Sequence, residues 1–143
     1  MTRFVGLMLL ASVAACSTSS STGTGDLSFE GRSTVSPTAP IDVQTVVTVR
    51  NTGDKATQIN TNTCGSPVRA FTTPERDGAW VWQSYDPALT LCAAMLSIAT
   101  LAPGESYDFR QGGTIPASLP AGVYYLAWNV NGKLVPAGLF LQR

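Results

Sequence analysis

The strongest constraint on the fold is an alternating run that leads straight into a hairpin turn. Tyr124, Leu126, Trp128 and Val130 share one face of the segment after Gly122, and Asn131-Gly132 follows at once. A period of two marks a half-buried strand. Asn-Gly tolerates positive φ at both turn positions, so it reverses the chain into an antiparallel neighbour. That neighbour should run from Lys133 to about Leu141, with Pro136 marking a bulge or an edge because its nitrogen carries no hydrogen for a ladder.

The same pattern recurs upstream. Val43, Thr45, Val47 and Val49 fall on one face of a run whose other face holds Gln44, Thr48 and Arg50, with Val46 the exception, and Asn51-Thr52-Gly53-Asp54 supplies the turn. Candidate strands lie near Leu27–Ser36, Asp42–Asn51, Gln58–Thr61, Val68–Phe71, Trp80–Gln83, Ser106–Arg110, Val123–Val130 and Lys133–Leu141. No helical period longer than two turns is found from Asp26 onward, and 13 Gly and 9 Pro suit a turn-rich chain. Strands at this spacing predict an all-β, immunoglobulin-like antiparallel β-sandwich of about seven or eight strands in a single domain over residues 26–143. Pro87–Ala99 is the least strand-like segment. Its Leu89, Leu91, Ala93, Ala94, Met95 and Leu96 suit a short helical turn across an open end of the sandwich, with Met95 filling a gap.

Charge and composition remove several function classes. Nine basic residues balance nine acidic ones, so there is no basic footprint for nucleic acid. The chain has no His, which removes the usual general base and the commonest metal ligand. The acidic residues have no calcium-loop spacing, and Gly112-Gly113 lacks the Lys-Ser or Lys-Thr of a phosphate loop. The expectation is a non-enzyme without cofactor or metal.

Thr2 and Arg3 form a short basic start, Phe4 to Val13 is apolar, and Val13-Ala14-Ala15-Cys16 follows. This is the pattern of a secretory signal peptide over residues 1–15. The apolar run is about ten residues, half of the ~20 that a membrane-spanning helix needs. Small residues directly before Cys16 resemble the lipobox of bacterial lipoproteins, in which the Cys sulfur is acylated and becomes the mature amino terminus. The resemblance makes Cys16 the membrane anchor and places the protein in the cell envelope. Ser17 in the second mature position carries no Asp retention signal, which in a Gram-negative host implies the outer membrane, facing the periplasm. Ser17–Gly25 holds only Ser, Thr and Gly, so residues 16–25 read as a lipidated Cys and a flexible tether, with a span of roughly 15–18 Å.

Cys64 and Cys92 then remain as an even pair in an exported domain, where thiols are oxidised, and they are expected to form a disulfide. A nucleophilic Cys lacks a His to generate its thiolate.

Three segments carry a resemblance to a known family. Asp77-Gly78-Ala79-Trp80-Val81-Trp82-Gln83-Ser84, Leu101-Ala102-Pro103-Gly104-Glu105-Ser106-Tyr107-Asp108-Phe109 and Leu119-Pro120-Ala121-Gly122-Val123-Tyr124 are similar, in order and spacing, to the bacterial intracellular proteinase inhibitor (BsuPI) domain. The likeness covers about Val43 to Leu139. It implies a β-sandwich that binds protein, first noted for inhibiting a serine proteinase, and it implies no cofactor. The lipoprotein signal and the Cys pair depart from the founding intracellular type, and no family-wide reactive residue carries over.

Candidate partner-binding residues follow from position. Trp80 and Trp82 lie two apart, so they are expected to share one face, either filling the core or forming an exposed patch. Thr72–Gly78 concentrates charge at Glu75, Arg76 and Asp77 and should be an exposed hairpin tip. Gln111-Gly112-Gly113-Thr114 reads as a second exposed loop. The leading expectation is a lipid-anchored protein-binding domain that resembles a proteinase inhibitor. The alternative is a structural or assembly lipoprotein that docks onto an envelope complex by strand addition.

Overall fold

The computed structural model describes residues 26–38, 40–92 and 97–143. The expected signal peptide, the Cys16 anchor, the tether and Ala93–Leu96 lie outside the described residues. Among the described residues the chain forms nine strands and no helix: β1 (Leu27–Val35), β2 (Ile41–Asn51), β3 (Thr57–Asn60), β4 (Val68–Phe71), β5 (Trp80–Gln83), β6 (Ile98–Leu101), β7 (Ser106–Ile115), β8 (Gly122–Val130) and β9 (Lys133–Gln142). Hydrogen bonding sorts them into a three-stranded sheet β1-β2-β7, a four-stranded sheet β5-β4-β8-β9, and a small β3-β6 pair, with every neighbour antiparallel.

The apolar alternation decides which faces meet. Val43, Val47 and Val49 of β2 are buried with Phe109 and Ile115 of β7, against Val68 and Ala70 of β4, Leu126, Trp128 and Val130 of β8, and Val135 and Phe140 of β9. Two inward faces of this kind make one sandwich core. Tyr124, near the start of β8, stacks on Phe140 at 5.2 Å, and its hydroxyl donates back to the Pro120 carbonyl at 2.7 Å. A tyrosine that ties its own entry turn in this way is a hallmark of immunoglobulin-like sandwiches.

The turns follow the chemistry of their residues. Asn131 and Gly132 have φ of 50° and 78°, as an Asn-Gly hairpin requires. In the Pro-Gly-Glu turn Gly104 has φ of 79°, Glu105 N donates to the Ala102 carbonyl at 3.0 Å, and the Glu105 carboxylate accepts from Ala102 N at 2.8 Å. Pro before a left-handed Gly sets a type II turn. Buried Asn51 holds this corner: its Nδ2 donates to the Lys55 and Leu101 carbonyls at 2.7 and 2.9 Å, and its Oδ1 accepts from Gly53 N at 3.0 Å. The Pro-Gly-Glu segment of the resemblance is therefore explained by local turn formation.

Both flanks of the sandwich are closed. On one, β1 lies against β9, where a Cβ on Gly31 would strike the Pro136 carbonyl. On the other, Trp82 Nε1 donates to the Thr114 carbonyl at 3.1 Å and Gln111 Nε2 donates to Ser84 Oγ at 2.5 Å. A Cβ on Gly113 would sit 2.7 Å from Ser84 Cβ and 3.0 Å from the Trp82 ring, so the close approach of β5 requires Gly there.

Three expectations need correction. Gln111–Thr114 is no loop: it is the second half of β7, paired with Asp42–Thr45 of β2. Among the described residues of Pro87–Ala99 a turn forms at the start, where Leu89 N donates to the Asp86 carbonyl, and Leu89 and Leu91 stand in solvent and do not cover the sandwich end. The end of that segment contributes to an unanticipated strand, β6, which pairs with β3.

Candidate functional site

The paired tryptophans do not share a face. Ala70 pairs with Trp82 and Phe71 with Trp80, so Val81 is the extra residue of a β-bulge. Successive residues of β4 point to opposite sides, and the bulge passes that opposition on to the two rings. Trp82 faces the core at 7% exposure, whereas Trp80 stands on the outer face of the four-stranded sheet at 44%. The expectation of a common face fails here because a bulge breaks the period of two, and only the pairing with β4 reveals it.

Register defines the rest of this outer face. Arg69 of β4 pairs with Ala127 and Phe71 with Tyr125 on β8, and on β9 Tyr125 pairs with Leu139 and Val123 with Leu141. Directly opposed residues share a face. Leu139 is 58% exposed, Leu141 53% and Val123 45%. Phe71 and Ala127 are buried yet stand outside the main core cluster, which places them beneath this outer surface. Ala137 is the extra residue of a second bulge: Leu126 pairs with Gly138 and Ala127 with Pro136, and this shifts the phase of β9 so that Leu139 and Leu141 turn outward while Phe140 stays in the core. Beyond β9 the apolar surface continues into a depression of about 420 Å³ shared by Leu139 and Leu141 with Val35, Pro37 and Ile41.

Two arginines lie over aromatic rings on this face. Arg69 Cζ is 5.5 Å from the Trp80 ring centroid and Arg76 Cζ is 5.7 Å from that of Tyr125. The two differ in their commitments. Arg76, at φ 58°, donates from Nε to the Leu126 carbonyl at 3.1 Å and from an Nη to the Pro74 carbonyl at 2.5 Å, so it straps the β4–β5 loop down onto the sheet. Glu75 and Asp77 are exposed at the tip of that loop, with Thr73 Oγ1 donating to Asp77 at 3.2 Å. Arg69 is half-buried, and its Nε is buried without a hydrogen-bond partner. Beside it is a cavity of about 350 Å³ walled by Pro67, Ala127, Leu134 and the turn at Cys64-Gly65.

That turn is fixed by the expected disulfide. Cys64 and Cys92 are bonded with Cα atoms 5.5 Å apart. Trp128 Nε1 donates to the Ser66 carbonyl at 2.7 Å and Ser66 Oγ donates to the Asn129 carbonyl at 2.5 Å, so the turn is pinned from below as well.

Of the five partner-binding candidates, the structure brings Trp80 and Arg76 onto one face, leaves Glu75 and Asp77 at its rim, and removes Trp82 to the core. Sequence reasoning missed Arg69, Val123, Leu139 and Leu141. One signal was present: Leu139-Phe140-Leu141 is apolar on both faces of its strand, which a strand open to water on one side does not need. An exposed indole and a guanidinium are of the residue types that carry binding energy at protein interfaces, and the aliphatic side chains around them add apolar area to bury. No family model matches the chain, and no curated protein matches it.

Proposed function

We propose that the chain is a lipid-anchored, envelope-facing protein-binding domain that docks its partner on the outer face of the four-stranded sheet. The observation that carries this reading is the run of half-exposed Trp80, Val123, Leu139 and Leu141 across three strands of one sheet face. Exposed apolar side chains gathered on one sheet face mark an interaction surface. The resemblance to the BsuPI domain makes a serine proteinase the first class of partner to test, and the lipobox-like Val13-Ala14-Ala15-Cys16 places that partner in the envelope.

Strand addition is the weaker reading. The edges of the two main sheets are poorly suited to it: β5 has four residues and a bulge, β9 carries Pro136 and lies against β1, and β7 is approached by Ser84 and Trp82. Short, bulged or covered edges resist pairing with another chain.

Two measurements test the proposal. Radiolabelled palmitate is expected to enter the wild-type chain and to be lost entirely in Cys16→Ser; equal labelling of the two removes the anchor. Titration of a panel of serine proteinases with the purified protein is expected to give stoichiometric loss of activity for at least one, and full activity across the panel would restrict the function to docking without inhibition.

A further inference from the structure

We infer that the partner presents a carboxylate to Arg69, flanked by apolar side chains that cover Leu139, Leu141 and Trp80; this rests on the docking face proposed above. Arg76 has spent two of its donors, whereas the Arg69 guanidinium has no hydrogen bond within the chain. Its plane is held over Trp80, its Nε is buried with no acceptor, and the described residues hold a single salt bridge, Arg110 to Asp108, well removed in sequence. The buried Nε is beyond a partner's reach, but the terminal nitrogens of half-buried Arg69 are not buried and have no hydrogen bond within the chain, and a carboxylate meets their fork in a planar, two-pronged geometry. Arg76 is held in place by its bonds to the Leu126 and Pro74 carbonyls.

The surroundings select the class of partner. The cavity beside Arg69 sets polar Ser66 and Asn129 among the apolar walls Pro67, Ala127 and Leu134, and its far side is the disulfide-tied turn at Cys64-Gly65. Such a recess admits one side chain of a protein segment. A lipid surface meets no recess and offers its phosphates in a plane. Arg69 lies on β4, and Leu139 and Leu141 lie two strands away on β9, so an extended segment crossing the sheet meets the cation and the aliphatic surface in succession. Leu139 lies two strands across and two residues along from Arg69, roughly 12 Å away, so on an extended segment the Leu that reaches it stands four residues from the Glu, as in Leu-x-Glu-x-x-x-Leu.

The test uses the full chain in lipid nanodiscs with 15N detection of the Arg69 Nε–H and Trp80 indole N–H signals. The probes are the peptide Ac-Leu-Ser-Glu-Ser-Ser-Ser-Leu-amide and its twin with Gln in place of Glu. The Glu peptide is expected to move both signals saturably, and the Gln twin to bind about tenfold more weakly, the usual loss when a charge-assisted hydrogen bond becomes a neutral one. Arg69→Gln is expected to equalise the two peptides, with the Trp128 indole signal unchanged as proof that the core is folded. Equal binding of both peptides to the wild-type chain would overturn the carboxylate contact while leaving the docking face in place. An Arg69 signal that neither peptide moves would also overturn it. Broadening of the Trp80 signal by spin-labelled lipid in the disc would assign the face to the membrane surface and overturn both the contact and the docking reading.

Discussion

Trp128→Ala is expected to destabilise the domain by about 3–5 kcal/mol, the usual range for deleting a large buried ring. Trp128 is completely buried toward the end of β8, paired with Val68 on one side and Val135 on the other, and Phe109 from the opposing sheet meets it edge-on at 6.3 Å. Alanine leaves a cavity between the two sheets. It also strips the Ser66 carbonyl of its indole donor at 2.7 Å. Small domains have total stabilities of about 5–15 kcal/mol, so a loss of this size leaves the variant near its unfolding threshold. Trp128→Phe keeps a ring and gives up the hydrogen bond, with an expected loss of about 1–3 kcal/mol. Urea denaturation followed by circular dichroism measures both; an alanine variant within about 1 kcal/mol of wild type would contradict the placement of Trp128 at the centre of the core.

The second large effect concerns the crosslink. Replacing both Cys64 and Cys92 with Ser is expected to lower stability by about 3–4 kcal/mol, from the chain entropy that a link across 28 positions removes from the unfolded state. The bond joins the turn between β3 and β4 to the segment that leads toward β6, two stretches with little ladder of their own. Its loss acts first on the Cys64-Gly65 wall of the cavity beside Arg69. Thermal unfolding of the wild-type protein with and without a strong reductant measures the contribution, and coincident midpoints would contradict it.

Much of the fold was legible because local chemistry and tertiary pairing agree. In β2 the four residues assigned to one face, Val43, Thr45, Val47 and Val49, are the ones buried, and Val46 turns outward as its position in the alternation dictates. Asn131-Gly132 and Pro103-Gly104 adopt the positive φ their glycines allow, and Pro136 lies at both a bulge and an edge. The departures occur where pairing overrides local preference. Gly112 and Gly113 signal a loop in isolation; in the fold they extend β7 because β2 supplies the ladder, with Gly112 under the Gln44 side chain and Gly113 against Ser84 and Trp82. The bulge at Val81 separates Trp80 from Trp82, and the one at Ala137 turns Leu139 and Leu141 outward. A bulge is a property of two strands together: Pro136 signals the one in β9, but nothing in the sequence of β5 signals the one at Val81. For the same reason the candidate site was only half visible: Trp80 and Arg76 stood out as residue types, while Arg69 gained significance once β4 placed it over Trp80 beside a recess.

The docking face is tested most directly by a photo-crosslinking amino acid placed in the full chain within the living envelope. One position is Leu141 on the outer face of the four-stranded sheet, and the control is Gln44, exposed on the three-stranded sheet. The account predicts a discrete crosslinked protein from position 141 that disappears when Leu139→Glu is added, and no product from position 44. Equal products from both positions, or a product from position 44 alone, would contradict it.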